Sequence, residues 1–470
     1  MRVNRHRTII LAAVIFLVGL SAACTPFMPE TRSPEEERLS EQFSLYSGDA
    51  APTDRWWEHF GAKDLTALVD EALSDNFGIR EAWARLQQAQ ARAIQAGADR
   101  YPSLDATAGL TVGQQRADTG GTLDLENASV GLAGRYELDL WGRIRSEREA
   151  AMMEVNASRE DVNTAAISIA AEVADRWVRI IAQRQQIALL EKQLDVNQTL
   201  QELIELRFRM AMVSALDVYQ QKQVVARTNA DIPLAVQQEQ ILLHELAILL
   251  GRPPRSAIDI TTKTPPMPEA LPSTGVPADL LANRPDIRGA GKRLEAADWQ
   301  VAEARANRLP AISLSARARY GEGDLDDLFN NWLLTLSGNL TAPLLDGGRR
   351  RAEVDRTLAQ AEEKLWNYRR VVYTAVKEVE DALEREARQR EHIQGLEGVI
   401  DSSRRALEQA IERYRNGLSD YLPVLTQVLA FQDLERDLIR QKSILVQNRI
   451  SMLRALGGTW PQDLSPGDAT

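Results

Sequence analysis

One long pattern occurs twice in this sequence, and the two copies are separated by roughly 200 residues. The matching segments follow in the same order in both copies. The matches are Ile79–Pro102 with Ile287–Pro310, Trp141–Arg143 with Gly347–Arg349, Arg207–Arg209 with Arg413–Arg415, and Leu250–Gly251 with Leu456–Gly457. A repeat of this length predicts two copies of one structural unit.

The composition favours long helices and argues against nucleic acid as a partner. Charged residues make up 26% of the 470 residues, and the formal net charge is −11. Removal of residues 1–23 would take away three arginines and no acidic residue, which leaves a net charge near −14. A chain this acidic is not expected to bind nucleic acid, because phosphate recognition needs a basic surface.

The first 23 residues have the features of a signal peptide. Three arginines precede an uncharged apolar run from Ile9 to Leu20, which is too short to span a bilayer comfortably. Ser21-Ala-Ala-Cys24 follows the run, and because Cys24 is the only cysteine, no disulfide can form within the chain. Two fates of Cys24 are open. Cleavage after Ala23 could leave a free thiol, or Cys24 could carry a diacylglycerol and an N-terminal acyl chain.

The lipidated form of Cys24 is favoured, because Leu20-Ser-Ala-Ala-Cys24 resembles a bacterial lipobox. Two or three acyl chains anchor a protein stably where one would not. Thr25 follows the cysteine. In the lipoproteins that this sequence resembles, the absence of Asp at that position implies delivery to the outer membrane.

Each repeat contains a segment in which apolar and polar residues alternate, as in β-strands. Residues 103–140 and 311–345 each predict a hairpin of two strands joined by a polar, glycine-containing loop. Two interpretations are open. The hairpins could form a half-buried sheet on a soluble core, or they could be membrane strands with an apolar face toward lipid. Lipidation and the neighbouring helices favour membrane strands.

A long helix follows each hairpin. The first is predicted from Gly142 to Phe208, and about 65 residues of helix span roughly 100 Å. The second is predicted from Arg349 to Asn416, with apolar residues in a heptad seam. These helices are expected to pair lengthwise with neighbouring helices.

Each long helix is expected to reverse in a short turn. The turns are Met210–Ser214 and Asn416–Asp420, and the returning helices reach Gly251 and Gly457. Gly417 suits a left-handed residue after a helix end, while Ser214 and Asp420 suit the N-cap of a returning helix. Residues 252–286 contain eight prolines and predict a largely non-helical connector.

No residue pattern suits an enzyme or a metal centre. His59, His244 and His392 are far apart and have no cysteine partner. Gly347-Gly348 lacks the spacing of a phosphate-binding loop. The sequence therefore predicts no catalytic residue, no metal and no cofactor beyond the lipid on Cys24.

Four membrane strands cannot close a barrel, and an open sheet edge cannot lie in lipid. Several copies of the chain must therefore contribute strands to one barrel. Two copies would give a barrel filled with side chains, and three would give twelve strands and a lumen. The small and polar residues on the second face favour a water-filled lumen.

Five segments carry a family resemblance, namely Arg55–Phe60, Tyr136–Gly142, Leu280–Ile287, Pro343–Gly348 and Arg413–Gly417. Together they resemble the outer membrane efflux protein family, which is TolC-like, and specifically its lipidated NodT-type members that serve resistance-nodulation-division (RND) pumps. The resemblance implies a homotrimer with a twelve-stranded β-barrel, a twelve-helix periplasmic α-barrel and a mixed equatorial belt. It also implies two protein partners, a periplasmic adaptor (membrane fusion protein) and an inner-membrane RND-type pump.

The resemblance divides the chain into segments with expected roles. The segments are a signal peptide (1–23), a lipidated segment with an equatorial helix (24–75), a first repeat (76–251, with a helical hairpin at 142–250), an equatorial connector (252–286), a second repeat (287–457, with a helical hairpin at 348–456) and a tail (458–470).

The resemblance also implies where a gate lies. In this family the helix turns at the periplasmic end close the tunnel and contact the adaptor, and the second-repeat turn lines the constriction. The gate candidates are Leu418, Asp420, Tyr421, Arg413 and Tyr414. The adaptor-contacting candidates are Arg209, Met210, Ser214, Asp217, Arg415 and Gly417. Asp420 is equally suited to a role as a helix cap.

The expected function is that of a passive exit duct in the outer membrane of a Gram-negative bacterium, which exports drugs or other small molecules and performs no chemistry. An alternative within the same fold is a duct for type I protein secretion or for metal efflux. A different class is a structural periplasmic lipoprotein, which the twin hairpins disfavour because such a protein needs no membrane strands.

Overall fold

The computed structural model describes residues 27–29, 39–45, 55–116, 122–268, 274–321, 328–458 and 460–464. The predicted signal peptide and the predicted lipidation site, Cys24, lie outside the described residues.

The described elements repeat in order. The first series is α1 (Lys63–Asp75), α2 (Phe77–Ala98), β1 (Ser103–Arg116), β2 (Thr122–Leu138), α3 (Arg143–Arg209) and α4 (Ala215–Leu249). The second series is α5 (Asp279–Asn283), α6 (Pro285–Ala306), β3 (Ala311–Tyr320), β4 (Trp332–Thr341), α7 (Arg349–Arg415) and α8 (Leu422–Leu456). Short 3-10 helices lie at Trp56–Phe60 and Trp460–Asp463. Among the residues described, no helix has both the length and the apolar character needed to cross a membrane.

The two long hairpins have the same dimensions. Both α3 and α7 contain 67 residues, and both α4 and α8 contain 35. Each long helix begins beside an aspartate that accepts hydrogen bonds from backbone amides of the first turn. Asp139 accepts from Ile144 and Arg145, and Asp346 accepts from Gly348 and Arg350. These carboxylates satisfy amides that have no partner within the helix.

The four strands form one antiparallel sheet in the order β1-β2-β3-β4. The register pairs Ala108 with Val130, Leu132 with Ala318, and Ala318 with Leu334. Because side chains alternate between faces, this register places most apolar residues of the four strands on one face, with Leu333 on the opposite face. The alternation predicted from the sequence is confirmed. β1 and β4 are the edges of the described sheet.

The apolar face of the sheet is exposed in the single chain. Large side chains on it include Leu104, Leu110, Leu132, Trp332, Leu336 and Leu340, each at least half exposed. An apolar face of this extent marks a surface that contacts another apolar phase. The other face carries mainly small and polar residues.

The chain divides into two compact units that cut across the repeats. One unit contains Arg85–Arg159 and Gly289–Arg369, which include the sheet. The other contains Arg38–Ala84, Glu160–Arg288 and Arg370–Thr470, which include both helix turns. Each unit therefore draws residues from both repeats.

The second unit has a tryptophan-rich core. Trp56, Trp57 and Trp177 are almost fully buried there. Trp57 meets Trp460 edge to face with ring centroids 4.8 Å apart. The Arg55–Phe60 motif thus packs the N-terminal segment against the helices of this unit.

The connector motif Leu280–Ile287 is held by a buried arginine. Arg284 pairs with Asp286 and Glu378 at 2.7 and 2.8 Å and donates to the carbonyl of Ala455 at 2.8 Å. At the matching place in the first repeat, the side-chain amide of Asn76 donates to the carbonyl of Leu249 at 2.8 Å. In both repeats, therefore, a side chain before the repeat helix binds the end of the returning helix.

Candidate functional site at the two helix turns

The first turn joins α3 to α4, and hydrogen bonds cap both the end of α3 and the start of α4. The amide of Met212 donates to the carbonyl of Arg207, and that of Ala211 donates to Phe208, both at 2.9 Å. This is a Schellman motif, and it places Ala211 at a left-handed φ of 58°. Ser214 and Asp217 form a reciprocal capping box at the start of α4. The predicted N-cap role of Ser214 is confirmed.

The second turn joins α7 to α8 and ends its long helix in the same way. The amide of Leu418 donates to the carbonyl of Arg413 at 2.8 Å, and that of Gly417 donates to Tyr414 at 3.1 Å. Gly417 has a φ of 72°, as predicted. Glycine adopts this conformation without the steric cost that Ala211 incurs.

The predicted N-cap role of Asp420 is wrong. The helix α8 begins at Leu422, so the N-cap residue is Tyr421, and no side chain caps this end. Pro423 at the second helical position removes one amide that would need a partner. Asp420 is exposed.

An apolar core packs the two turns together, which we call the tip core. It contains Ile204, Val218, Val224, Ala410, Tyr414, Tyr421, Val424, Leu425 and Val428. Its two aromatic rings, Tyr414 and Tyr421, lie 5.6 Å apart. Both hairpins contribute side chains, so the tip core joins the first repeat to the second within one chain.

Arg207 crosses from α3 to the end of α7. Its guanidinium donates to the carbonyls of Tyr414 and Arg415, both at 3.3 Å, and lies 4.4 Å from the centre of the Tyr414 ring. The end of a helix carries partial negative charge on its unpaired carbonyls, which a cation stabilises. The ring face adds a cation–π contribution.

Tyr421 holds α8 to α4. Its side chain is 2% exposed, and its hydroxyl donates to Gln221 Oε1 at 2.5 Å. Burial raises the pKa of Tyr421, and the proximity of Tyr414 and Asp217 raises it further. The phenol is therefore neutral, and it anchors the second turn through a hydrogen bond as well as through packing.

A buried polar seam continues from Tyr421 between the hairpins. Gln221 donates to the carbonyl of Asn197 at 2.7 Å, and Asn197 exchanges hydrogen bonds with Gln432 at 2.9 and 3.3 Å. Gln193 donates to the carbonyl of Gln432 at 3.1 Å. All four side chains are buried. Because buried amides are costly when unpaired, this seam fixes the register of α3, α4 and α8.

The second turn leaves two buried hydroxyls unsatisfied. Among the described residues, Tyr414 Oη and Ser419 Oγ have no hydrogen-bond partner. An unpaired buried hydroxyl costs roughly 1–3 kcal/mol. The first turn, by contrast, uses its hydroxyl, that of Ser214, in the capping box.

The structure separates the predicted gate residues into two groups. Leu418, Asp420 and Arg413 are exposed, Leu418 at 67%, and are free to contact another surface. Tyr414 and Tyr421 are buried in the tip core and support the turn from within. Of the adaptor-contacting candidates, Asp217 is half-buried in the capping box, while Arg209, Met210, Ser214, Arg415 and Gly417 are exposed.

Sequence reasoning missed Arg207, Gln221, Asn197 and Gln432. The available signal was the presence of amide side chains and an arginine at positions that face another helix. Among the described residues, no group of three or more His, Cys, Asp or Glu side chains could hold a metal ion.

Comparison with known proteins identifies the family. The family described as "Outer membrane efflux protein" matches residues 68–252 and 276–458. The pyoverdine export outer membrane protein OpmQ of Pseudomonas aeruginosa is 32% identical, with 97% of each chain covered. Nodulation protein T of Rhizobium leguminosarum bv. viciae is 27% identical, with 99% of this chain and 97% of the relative covered.

Solved structures agree with this result. The outer-membrane channel OprN superimposes with a TM-score of 0.83 at 27% identity, covering 93% of this chain and 98% of that one. The outer membrane protein VceC of Vibrio cholerae gives 0.79 at 27% identity, covering 87% and 100%. The resemblance inferred from the five sequence segments is confirmed: this chain belongs to the outer membrane efflux protein family.

Proposed function

We propose that three copies of this efflux protein form one exit duct across the outer membrane, which opens and closes at the paired helix turns. The observation that carries the proposal is the register of the sheet, which aligns the apolar residues of four strands on one exposed face. Such a face is stable only against lipid or another apolar surface.

The two free sheet edges support assembly from several copies. β1 and β4 each leave backbone groups unpaired on one side of the described sheet. In lipid these groups need partners, and the β1 edge of one copy can pair with the β4 edge of the next. Three copies supply twelve strands, which is enough to leave a lumen between the polar faces.

The turns are suited to gating because each chain presents exposed side chains on a supported frame. Leu418, Asp420 and Arg413 are exposed, whereas Tyr414 and Tyr421 hold the turn from inside. Gating would be a shift between closed and open arrangements of the turns, biased by whichever state a partner binds more tightly.

The partners in this proposal are a periplasmic adaptor and an inner-membrane RND-type pump, which would supply the energy for export. The exposed residues of the turns, including Arg209, Met210 and Arg415, would contact the adaptor. Cys24 would carry the lipid anchor. Replacement of Cys24 by Ala should abolish labelling by radioactive palmitate, and labelling that persists would remove the anchor from the proposal.

Arginine substitutions at two adjacent positions of β4 test directly whether the sheet lies in the membrane. Leu336 is 75% exposed on the apolar face, whereas its neighbour Ser337 lies on the opposite face. Leu336→Arg should cost roughly 2–4 kcal/mol if the face meets lipid near the bilayer centre, and should deplete the protein from outer membranes. The matched control Ser337→Arg should assemble normally.

A sheet on a soluble domain would give the opposite pattern. An exposed Leu336 in water should accept arginine with little change in stability. Equal amounts of the two variants in purified outer membranes would therefore contradict the proposed duct.

A further inference from the structure

Arg207 contacts Tyr414 and the end of α7 within the chain. The repeat supplies a second arginine, a second aromatic ring and a second helix end at the matching positions, and these do not contact one another within the described part of the chain. Arg413 occupies the position of Arg207 in the second long helix, and Phe208 occupies the position of Tyr414 in the first. We propose that Arg413 of one copy binds the α3 end of the neighbouring copy, against Phe208 and the last carbonyls of that helix. This inference rests on the proposed trimer.

The receiving helix end has the same backbone geometry as the one that Arg207 binds. Both long helices contain 67 residues and end in a Schellman motif with a left-handed residue, Ala211 in α3 and Gly417 in α7. The carbonyls of Phe208 and Arg209 therefore correspond to those of Tyr414 and Arg415. A guanidinium can bind either pair in the same manner.

The exposure of the two groups agrees with an unfilled contact. Tyr414, which Arg207 covers, is 6% exposed, whereas Phe208 at the matching position is 45% exposed. Arg413 is exposed, whereas Arg207 is partly buried. One chain thus presents a free arginine on α7 and an uncovered aromatic ring on α3.

Ring closure pairs these groups when the step between copies repeats the geometry of the step within a chain. In a cyclic trimer built from two repeats, the hairpins follow one another as first, second, first and second around the ring. The step from the first hairpin to the second is the contact seen within the chain. The step from the second to the first of the next copy then brings Arg413 to the α3 end.

The chemistry of the seam within the chain is otherwise only partly repeated. Asn197 and Gln432 correspond to Ser403 and Ala226, so their amide pair is lost at the seam between copies, while Gln221 keeps an amide counterpart in Gln427. The arginine contact is a part of the seam that both interfaces can share. The interface between copies is therefore expected to be held less tightly at the turns than the interface within a chain.

Chemical crosslinking of the full-length protein in outer membranes tests this contact. A variant with Arg413→Cys and Phe208→Cys, treated with a short bis-maleimide, should lose its monomer band and give dimers and trimers on denaturing gels. The matched pair Arg207→Cys and Tyr414→Cys should crosslink within one chain and remain at monomer mass. Each single variant, and the wild type with Cys24 alone, should stay monomeric on the gel.

Two failures can be told apart. Absence of the dimer and trimer bands in a protein that still has the native mass of three chains would overturn the Arg413 contact and leave the duct intact. A protein with the native mass of one chain would overturn the trimer as well. Crosslinked oligomers from the Arg207 and Tyr414 pair would show that this contact is not confined to one chain, and would also overturn the inference.

Discussion

The two helix turns share one backbone design but are stabilised by different side chains. Both end a 67-residue helix with the same pair of hydrogen bonds to helix carbonyls, donated by a left-handed residue and by the residue that follows it. The first turn then adds a capping box made by Ser214 and Asp217. The second has no side-chain cap and relies on Tyr421, which is buried against the first hairpin.

The first turn is therefore stabilised by side chains of its own, and the second by a side chain of the other hairpin. The first turn pairs the hydroxyl of Ser214 and the carboxylate of Asp217 with each other and with local backbone amides. The second takes its anchor, Gln221, from the other repeat and leaves the hydroxyls of Tyr414 and Ser419 unpaired among the described residues. A turn whose order depends on a neighbouring hairpin is the better candidate for movement, because loss of that contact removes its main support.

The largest effect is expected from loss of the buried anchor. Tyr421→Ala should lower the free energy of local opening of the second turn by about 3–5 kcal/mol, the usual cost of removing a large buried aromatic side chain. Hydrogen exchange of the amides in residues 410–428 measures this energy. The amides of residues 206–212 in the first turn should change much less, and equal loss at both turns would show that the turns are not separately stabilised.

Exchanging glycine and alanine at the two left-handed positions should change the stability of the two turns in opposite directions. Gly417→Ala should destabilise the second turn by about 1–2 kcal/mol, because a Cβ is strained at positive φ. Ala211→Gly should stabilise the first turn by up to about 1 kcal/mol, less the entropy that glycine gains in the unfolded chain. Hydrogen exchange at Met212 and Leu418 measures both, and destabilisation by Ala211→Gly would contradict the shared backbone design.

Alanine substitution should destabilise a helix start at Ser214 but not at Asp420. Ser214→Ala removes the capping box and should cost about 1 kcal/mol at the start of α4. Asp420→Ala is the matched control and should leave the start of α8 unchanged within about 0.5 kcal/mol, because Asp420 is an exposed residue outside the cap. Protection of the first-turn amides of α4 and α8 is the measurement. Equal costs would restore Asp420 as a cap.

Removal of a single hydroxyl should distinguish the two buried tyrosines. Tyr421→Phe leaves Gln221 Oε1 without its donor and should cost about 1 kcal/mol. Tyr414→Phe removes a hydroxyl that has no partner among the described residues, so its cost should be near zero or slightly favourable. The same hydrogen-exchange measurement compares them, and a larger cost at Tyr414 would reverse the roles given to the two residues.

The raised pKa of Tyr421 predicts how stability depends on pH in the alkaline range. Because folding keeps the phenol neutral, the folded state holds its proton to higher pH than the unfolded state does. The stability that this group contributes is fully present below the ordinary tyrosine pKa near 10 and is lost as pH rises through the folded value. Tyr421→Phe should remove this part of the alkaline dependence, and an unchanged alkaline profile would contradict it.

The sequence predicted the elements well because periodicity and helix-end residues are local signals. The alternation in β1 to β4 and the left-handed Gly417 were both read from short stretches of sequence. Asp420 was misplaced because α8 begins after Tyr421, and the exact first residue of a helix depends on tertiary packing. The polar seam of Gln221 and Asn197 could not be predicted, since it depends on which helix faces which across more than 200 residues.

The mass of the purified protein tests the central claim most directly, namely that the twin repeats make each chain one third of a duct. Native mass spectrometry of the full-length protein released from detergent micelles should give three chains as the predominant species. The trimers should also conduct ions when inserted in planar lipid bilayers. A stable monomer that retains its four-stranded sheet, or a trimer that forms no conducting pore, would contradict the account.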